Sequence, residues 1–375
     1  MSARIARQIA FLCEADRLKS VERANVLMDL SRPENSAEHS WHVGLYAMVF
    51  GASDRAIAML LLHDLVEIDT GDQPIHLDHD AAALARAEAA AADRIFGLSP
   101  DGAALRALWA EFEAGISADA ALARRMDHGQ PLFQVLSSPR PRPDHLEIVR
   151  DNMSGGRAAR LRAEWPEAMA AAGAMLEGRP AGPSDFTRRL AFLAEADRLK
   201  TVLRASRLID LSRRENSAEH SWHLALYALS LADLAVPEVS IGRVIRMLLI
   251  HDLVEVDVGD VPLHSANGQA HGSAAIQAAE VAAARRIFGL LPPAQAAEFL
   301  ALWTEFEAAA TPDAAFAKAL DRCQPAVQNL RSGGAGWREY GVGFADIETR
   351  VGARIVPGAP ALWTWLRAEL RDWFA

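Results

Sequence analysis

The chain has 375 residues, of which 51% are hydrophobic and 23% charged, so its length allows two or three domains with ample cores. The net charge of −10 argues against a general surface for nucleic acid or anionic membrane, and an anionic ligand would need local positive charge or a metal. The two cysteines, Cys13 and Cys323, suggest no disulfide framework, and no apolar run approaches a membrane span. Because the N-terminal segment also lacks the apolar core of a signal peptide, we expect a cytoplasmic protein.

Hydrophobic periodicity in the first half predicts a succession of helices. An apolar stripe predicts a helix at residues 5–19, and a variable segment follows at 20–33. Asn35, with Glu38 three positions on, matches a capping box and opens the next helix. A central apolar helix ends at Gly71. Further helices are predicted up to about residue 96, at 103–114 and at 118–129, followed by Pro131, with loops at 72–80 and 137–143. Strand signals are scarce throughout, so we predict an all-α fold.

The second half repeats the first. Four motifs return in the same order: AFLCEADRLK at residue 10 and AFLAEADRLK at 191, ENSAEHSWH at 34 and 215, HDLVEIDTGD at 63 and HDLVEVDVGD at 251, and MDHGQP at 126 and LDRCQP at 320. The repeat predicts two tandem domains, residues 1–178 and 185–375, joined by a linker at 179–184. We expect the halves to pack as a pseudo-dimer within one chain, and the sequence leaves open whether that chain is monomeric or homodimeric.

The motif MLLLHDLVEIDTGD, residues 59–72, carries the strongest chemical signal. It places His63 beside Asp64 in an apolar helix, with Glu67 one turn further on. An imidazole and a carboxylate are costly to bury unless something pairs with them, and a divalent cation is the simplest partner for both. A buried ion pair completed by an arginine is the alternative.

Three helices of each half supply candidate metal ligands. They are two histidines and two aspartates per half: His39, His63, Asp64 and Asp127, then His220, His251, Asp252 and Asp321. Such a set suits Mn²⁺, Co²⁺, Fe²⁺, Zn²⁺ or, less well, Mg²⁺, and leaves room for water or a substrate oxygen. His42 lies one helical turn past His39, and His223 has the same place in the second half, so spacing alone does not choose between the two histidines.

The pattern AEHSW, then HDxxExxxGD about two dozen residues later, then a distant aspartate, resembles the HD-domain metal-dependent phosphohydrolases, in particular their 5′-deoxyribonucleotidase branch. The resemblance covers nearly all of both halves. It implies one divalent metal per domain and selects His39 and His220 as ligands rather than the histidine one turn later. It also implies the other six candidate ligands.

The same resemblance implies roles for six further residues. Four are catalytic: Glu67, Asp72, Glu255 and Asp260. Arg23 and Arg204 resemble the arginine that contacts substrate, although a plain surface salt bridge is the competing interpretation. The deoxyribonucleotidase branch can carry a tryptophan after that arginine, and here Ala24 and Ala205 stand in its place. The sequence therefore does not predict a preference for deoxyribose over ribose.

We therefore expect a metal-dependent phosphohydrolase that acts on a small phosphomonoester, above all a nucleoside 5′-monophosphate. The metal would polarise a phosphoryl oxygen and lower the pKa of its water. Glu67 would orient or deprotonate that water or protonate the leaving oxygen, Asp72 would contact the sugar or assist proton transfer, and Arg23 would clamp the phosphate. The alternatives are a hydrolase of nucleoside triphosphates or phosphodiesters, and a metal-binding regulatory module with one or both sites inactive.

Other histidines and tryptophans have simpler interpretations. The loop after the HD motif carries four histidines, which we expect to be solvent-exposed rather than part of a second metal site: His76, His79, His264 and His271. His128 is expected at the surface or the pocket rim, because its counterpart is Arg322. Trp109 and Trp303, in the repeated LWxEFEA segments, are expected to be core residues.

Overall fold

The computed structural model describes residues 1–74, 80–155, 157–179, 182–261, 263 and 273–375. Its first half contains ten α-helices within these ranges: α1 Ser2–Ala15, α2 Ser36–Val49, α3 Asp54–Leu62, α4 Glu67–Thr70, α5 Ala81–Gly97, α6 Gly102–Ala114, α7 Ala118–Leu136, α8 Pro143–Gly155, α9 Leu161–Glu164 and α10 Pro166–Leu176. The 3₁₀ turns of this half are Asp16–Ser20, His63–Val66 and Arg157–Arg160.

The second half contains eleven α-helices within the described ranges: α11 Asp185–Asp197, α12 Ser217–Ser230, α13 Ile241–Ile250, α14 Glu255–Val258, α15 Ala274–Phe288, α16 Pro293–Ala308, α17 Pro312–Arg331, α18 Ala335–Tyr340, α19 Phe344–Ile347, α20 Ala353–Ile355 and α21 Pro360–Phe374. Its described residues also form two 3₁₀ turns, Arg198–Thr201 and Ala232–Leu234, and a π-helical turn, Glu348–Gly352. The all-α prediction is confirmed. Ser184 caps α11, and the predicted domain boundaries stay a prediction.

Each variable segment forms a short hairpin that the sequence did not reveal. In the first half, β1 (Glu22–Val26) pairs antiparallel with β2 (Pro33–Asn35). In the second, β3 (Leu203–Arg207) pairs with β4 (Arg214–Asn216). These strands are polar and only three to five residues long, so they lack the alternation that predicts a strand. Each hairpin leads directly into the central helix of its half.

The central helix α2 begins at the predicted capping box. The side chain of Asn35 accepts a hydrogen bond from the backbone N–H of Glu38, and the side chain of Glu38 accepts one from the backbone N–H of Asn35. All residues of α2 are buried, because the helix lies in the middle of the molecule. The capping prediction is confirmed, and α12 begins with the same box.

The HD motif marks a change of helix type rather than the middle of one helix. Helix α3 ends at Leu62, His63–Val66 forms a 3₁₀ turn, and α4 follows as far as Thr70. Gly71 then adopts a φ of 71°, a left-handed conformation that glycine accepts without steric cost. The predicted end of the helix at this glycine is confirmed.

Helix α7 runs through Pro131, and the prediction that it ends near residue 129 was wrong. A proline within a helix lacks the N–H that would bond the carbonyl four residues earlier, which here belongs to Asp127. Helix α17 contains Pro325 in the same relation to Asp321. The rule that proline ends a helix gave too much weight to this one missing hydrogen bond, because buried side chains on both sides of the proline hold each helix in place.

The two halves pack as the predicted pseudo-dimer. The central helices α2 and α12 contact each other, and each also contacts the apolar HD helix of the opposite half, α13 or α3. The first helices cross over: α1 contacts α12, and α11 contacts α2. The buried hydrophobic side chains of both halves form one continuous cluster. The inner face of each half is therefore completed by the other half.

Candidate metal-binding and catalytic site

Four side chains of the first half converge where α2, the HD turn and α7 meet. Oδ1 of Asp127 lies 3.1 Å from Nε2 of His39 and 3.7 Å from Nε2 of His63. Asp64 places Oδ1 3.1 Å from Nε2 of His63 and Oδ2 3.9 Å from Nε2 of His39. Ligand atoms of His39, His63 and Asp127 lie within 4.8 Å of one another, which is close enough to surround one cation.

Both histidines present Nε2 to this space because their Nδ1 atoms are engaged elsewhere. Nδ1 of His39 donates to Oε1 of Gln130 at 3.1 Å, and Nδ1 of His63 donates to the carbonyl of Leu60 at 2.8 Å. In a neutral imidazole the other nitrogen then carries a lone pair. Nε2 of His63 is buried and makes no hydrogen bond of ordinary geometry to the described residues. Because lone pairs facing carboxylate oxygens repel, the four donors fit a metal ion between them.

The second half has the same geometry. Oδ1 of Asp321 lies 3.2 Å from Nε2 of His220, and Oδ1 of Asp252 lies 3.1 Å from Nε2 of His251. Nδ1 of His251 donates to the carbonyl of Leu248 at 2.8 Å. Ligand atoms of His220, His251 and Asp252 lie within 4.8 Å of one another. The structure thus brings together all eight side chains that the sequence singled out, four in each half.

The electrostatics of both centres favour a positive charge. Burial by itself lowers the pKa of His63, but Asp64 and Asp127 outweigh it and raise this pKa to about 9. In the second half, burial acts to lower the pKa of His251, but Asp252 and Asp321 outweigh it and raise this pKa. Burial acts to raise the pKa of Asp127, but the neighbouring imidazoles of His39 and His63 outweigh it and hold that pKa well below its usual value. Each centre therefore stabilises a cation between its carboxylates.

Arg23 reaches the site from strand β1. Its Nη1 lies 2.8 Å from Oδ2 of Asp64 and 3.6 Å from carboxylate oxygens of both Glu67 and Asp72. The side chain is 15% exposed, so the salt bridge that Arg23 forms with Asp64 is largely buried rather than at the surface. In the second half, Arg204 has the same three kinds of partner, with Nη1 2.8 Å from Asp252. The arginine of each half lies beside the predicted ligands and the predicted catalytic carboxylates.

The two predicted catalytic carboxylates flank Arg23 and have different environments. Glu67 accepts a short hydrogen bond from Oγ of Ser36. Burial and the neighbouring charges of Asp64 and Asp72 raise the pKa of Glu67 to about 8, against the opposing effect of Arg23. Oδ2 of Asp72 accepts a hydrogen bond from the backbone N–H of Ala24 at 3.1 Å. Glu67 is thus a group that can exchange a proton near neutral pH. Asp72 has a different role, because its hydrogen bond to Ala24 fixes the strand that carries Arg23.

The second half repeats these contacts. Glu255 accepts from Oγ of Ser217, and Oδ2 of Asp260 accepts from the backbone N–H of Ala205 at 3.2 Å. The pKa of Glu255 is raised well above its usual value, first by burial and then by Asp252. Both halves therefore contain the complete set of predicted catalytic side chains.

Sequence reasoning missed the polar residues behind the histidines. Gln130 holds Nδ1 of His39, and Nε2 of Gln130 donates to Oε1 of Glu34 at 3.3 Å. Oε2 of Glu34 lies 3.7 Å from Nδ1 of His39 and 3.9 Å from Nε of Arg23. Repetition would have revealed both residues, because Glu34 and Gln130 return as Glu215 and Gln324.

The alternative ligands lie elsewhere. Nε2 of His42 donates to the carbonyl of Leu193 at 3.1 Å, and its Nδ1 lies 3.0 Å from Nζ of Lys200, so His42 points into the interface between the halves. Nε2 of His128 lies 4.0 Å from Oδ2 of Asp127, at the edge of the site. The four loop histidines fall outside the described residues: His76, His79, His264 and His271.

The predicted core tryptophans are buried, and one of them supports the HD turn. Trp109 and Trp303 are 6% and 4% exposed. Nε1 of Trp303 donates to the carbonyl of His251 at 3.2 Å.

A cavity of about 330 Å³ opens onto the second site. The described residues that line it include Arg204, Asp252, Glu255 and Asp260. Its lining also includes Lys318, Arg322, Arg354, Trp337 and Tyr340. The position of Arg322 is that of His128 in the first half, so the rims of the two sites differ.

No helix in the described ranges is both long enough and apolar enough to cross a membrane.

Comparison with known proteins agrees with this geometry. The family model of the HD domain matches twice, at residues 15–169 and 196–363. The human 5′-deoxynucleotidase HDDC2 is 29% identical over 37% of this chain and 65% of its own length. HDDC2 of Xenopus laevis is 31% identical over 38% of this chain and 67% of its own. The chain thus spans about two thirds of the curated relatives that it matches.

Among solved structures, a predicted metal-dependent phosphohydrolase of Magnetospirillum magnetotacticum MS-1 is 46% identical, covering 51% of this chain and 96% of that one, with a TM-score of 0.47. The two family matches together take in most of the sequence and contain all eight candidate metal ligands. The chain therefore belongs to the HD domain family, with two HD domains in tandem, and is similar over part of its length to curated 5′-deoxynucleotidases.

Proposed function

We propose that this protein is a divalent-metal-dependent phosphohydrolase that releases phosphate from nucleoside 5′-monophosphates at two sites per chain. The observation that carries the proposal is the buried Nε2 of His63, which faces the carboxylates of Asp64 and Asp127 without a hydrogen bond to the described residues. Nε2 of His251 is likewise buried without a hydrogen bond to them and lies 3.1 Å from Asp252. The names of the relatives, 5′-deoxynucleotidases, support the choice of substrate.

One cation per half would be held by the four donors already described. Two imidazoles and two carboxylates accept Mn²⁺, Co²⁺, Fe²⁺ or Zn²⁺, and Mg²⁺ less well. When bound, the cation would polarise a phosphoryl oxygen and lower the pKa of a water molecule.

The chain's own residues supply positioning and proton transfer. Arg23 carries a guanidinium among three carboxylates and can offer a bidentate contact to a phosphate. Glu67 has a raised pKa and can take a proton from the attacking water or give one to the leaving oxygen. Asp72 holds the strand of Arg23, and in this proposal it would also contact the sugar or assist proton transfer. Phosphoryl transfer needs mainly such positioning and charge stabilisation, so no covalent nucleophile is required.

The second cavity supports one alternative. Besides Arg204, its wall carries Lys318, Arg322 and Arg354, which could contact a further phosphate group in competition with Glu307, the partner of Lys318, and Asp321, the partner of Arg322. A nucleoside triphosphate is therefore the second candidate substrate for that half. A purely regulatory role has less support, because both halves retain the arginine and both carboxylates. Ala24 and Ala205 leave the choice between ribose and deoxyribose open.

Phosphate release from a panel of nucleoside mono- and triphosphates, with Mn²⁺, Co²⁺ or Mg²⁺ added, tests the proposal. The panel is run on wild type, Asp64→Ala, Asp252→Ala and the double variant. We expect monophosphates to be hydrolysed, each single variant to retain about half of the turnover, and the double variant to retain none. Full turnover in the double variant would show that the proposed sites are wrong.

A further inference from the structure

Two lysines are buried at the interface between the halves. The chain has only three lysines, and Lys19 and Lys200 have fully buried side chains. Burying an ammonium group is expensive unless carboxylates and hydrogen-bond acceptors surround it. Burial acts to lower the pKa of Lys200, but Asp197 and Glu34 outweigh it and raise this pKa, which favours the ammonium form.

Each lysine belongs to one half but binds the other. Nζ of Lys200, in the second half, lies 2.7 Å from Oε1 of Glu34, 3.0 Å from Nδ1 of His42 and 3.1 Å from Oε1 of Gln134, all in the first half. Asp197 is its partner from its own half.

The second interface cluster mirrors the first. Lys19 pairs with Asp16 of its own half and, across the interface, lies 2.7 Å from Oε1 of Glu215 and 2.9 Å from Nδ1 of His223. In each cluster an ammonium therefore stands between ligating groups that would otherwise suit a metal ion.

The glutamate that receives the lysine is the one behind the metal centre. Oε1 of Glu34 binds both Lys200 and Nε2 of Gln130. With its amide nitrogen turned to Glu34, Gln130 presents its carbonyl oxygen to Nδ1 of His39. That contact fixes the imidazole with Nε2 free for a cation. In the second half, Glu215 accepts from Gln324 at 3.1 Å, and Gln324 accepts from Nδ1 of His220 at 3.0 Å.

We propose that Lys200 is a positioning residue for the metal centre of the first half, and Lys19 for that of the second, so that each site is completed by a side chain from the opposite domain. The inference rests on the proposed metal centres but goes beyond them, because it makes the two sites interdependent. Residues behind a metal-bound histidine typically change metal affinity by about ten- to a hundredfold when replaced.

The test measures Mn²⁺ affinity of one site at a time, from the spectroscopic signal of free Mn²⁺ during titration. In Asp252→Ala only the first site remains, and Lys200→Met is expected to weaken its Mn²⁺ affinity by about tenfold or more. Lys19→Met breaks an equivalent buried cluster and is the matched control; it should change that affinity by less than about twofold. In Asp64→Ala, which leaves the second site, the two lysines should exchange roles.

If the effects of the two lysine variants swap between the two single-site backgrounds, each lysine positions the opposite metal centre and does not only stabilise the fold. If both lysine variants weaken both sites equally, or neither weakens the opposite site, the proposal is overturned. If Asp64→Ala and Asp252→Ala still bind two Mn²⁺ per chain, the metal centres themselves are wrong, which is a distinct result. Should a methionine variant fail to fold, Lys200→Gln and Lys19→Gln, whose amides still donate to the glutamate, carry the same comparison with a smaller expected loss.

Discussion

The sequence left Arg23 with two interpretations, a contact to substrate or a surface salt bridge, and its surroundings in the structure favour the first. Its guanidinium lies between Asp64, Glu67 and Asp72, on a strand that Asp72 holds through the backbone of Ala24. A cation so placed neutralises part of the site's negative charge and leaves donors for an anion.

Replacing Arg23 should therefore impair substrate binding before it impairs turnover. In the Asp252→Ala background, Arg23→Ala is expected to raise the KM for a nucleoside monophosphate by about tenfold or more, because a charged hydrogen bond to phosphate contributes about 1.5 to 3 kcal/mol. Arg23→Lys should recover part of the loss. Steady-state kinetics with Arg17→Ala as the control, an exposed arginine paired with Glu14, would measure this. An unchanged KM in Arg23→Ala would remove Arg23 from the substrate site.

At the scale of secondary-structure elements, the two halves are joined by hydrogen bonds from tryptophan side chains to carbonyl groups at helix ends. The last carbonyls of a helix have no partner within it. Nε1 of Trp41 donates to the carbonyl of Leu249 at 3.0 Å, and Nε1 of Trp222 donates to the carbonyl of Leu61 at 3.1 Å. Each indole thus satisfies the end of the opposite HD helix, directly before the turn that carries the candidate ligands.

Loss of these indole N–H groups should destabilise the whole molecule. Trp41→Phe and Trp222→Phe are each expected to lower the free energy of unfolding by about 1 to 3 kcal/mol, because a buried carbonyl loses its partner. Trp109→Phe is the matched control, since Nε1 of Trp109 is buried without a hydrogen bond to the described residues and only packing changes. Urea denaturation measures all three. Equal losses in the three variants would show that the hydrogen bonds contribute nothing specific.

The elements also mark the limit of prediction from sequence. The capping box at Asn35 and the stop at Gly71 depend on local rules, and both were predictable. The hairpin that carries Arg23 was not, because its strands are short and polar and are fixed by Asp72, which lies far along the chain. The continuation of α7 past Pro131 was also missed, because tertiary burial outweighed a local preference.

At the scale of the whole molecule, the internal repeat predicted two all-α halves and two equivalent sets of ligands. It could not predict that Lys19 and Lys200 cross the interface, because the two copies are identical at these positions and at the glutamates that receive them. Because both copies contain the same lysine and the same glutamate, the sequence does not show whether each lysine binds the glutamate of its own copy or that of the other copy. Only the arrangement of the halves reveals that Lys200 binds Glu34 rather than Glu215.

This equivalence leads to a prediction for the isolated first half. A fragment of residues 1–178 would leave Lys19 without Glu215, but a second copy offers Glu34 in the same place. We expect the fragment to form a homodimer that restores the buried clusters, with a mass about twice that of one fragment by light scattering. Lys19→Met should weaken this dimer. A folded, monomeric fragment would contradict the expectation.

The shared interface has a last consequence for how the two copies can diverge. The stretch ENSAEHSWH, which carries Glu34, Asn35, Glu38 and His39, is letter-for-letter the same at residues 215–223. Asn35 donates to Glu219, and Asn216 donates to Glu38, so a change in one copy alone leaves a mismatched partner in the other. The rims of the two sites have no such mutual contacts, and there the position of His128 in the first copy is taken by Arg322 in the second. One copy is thereby free to acquire a new substrate preference, while the inner faces can only change together.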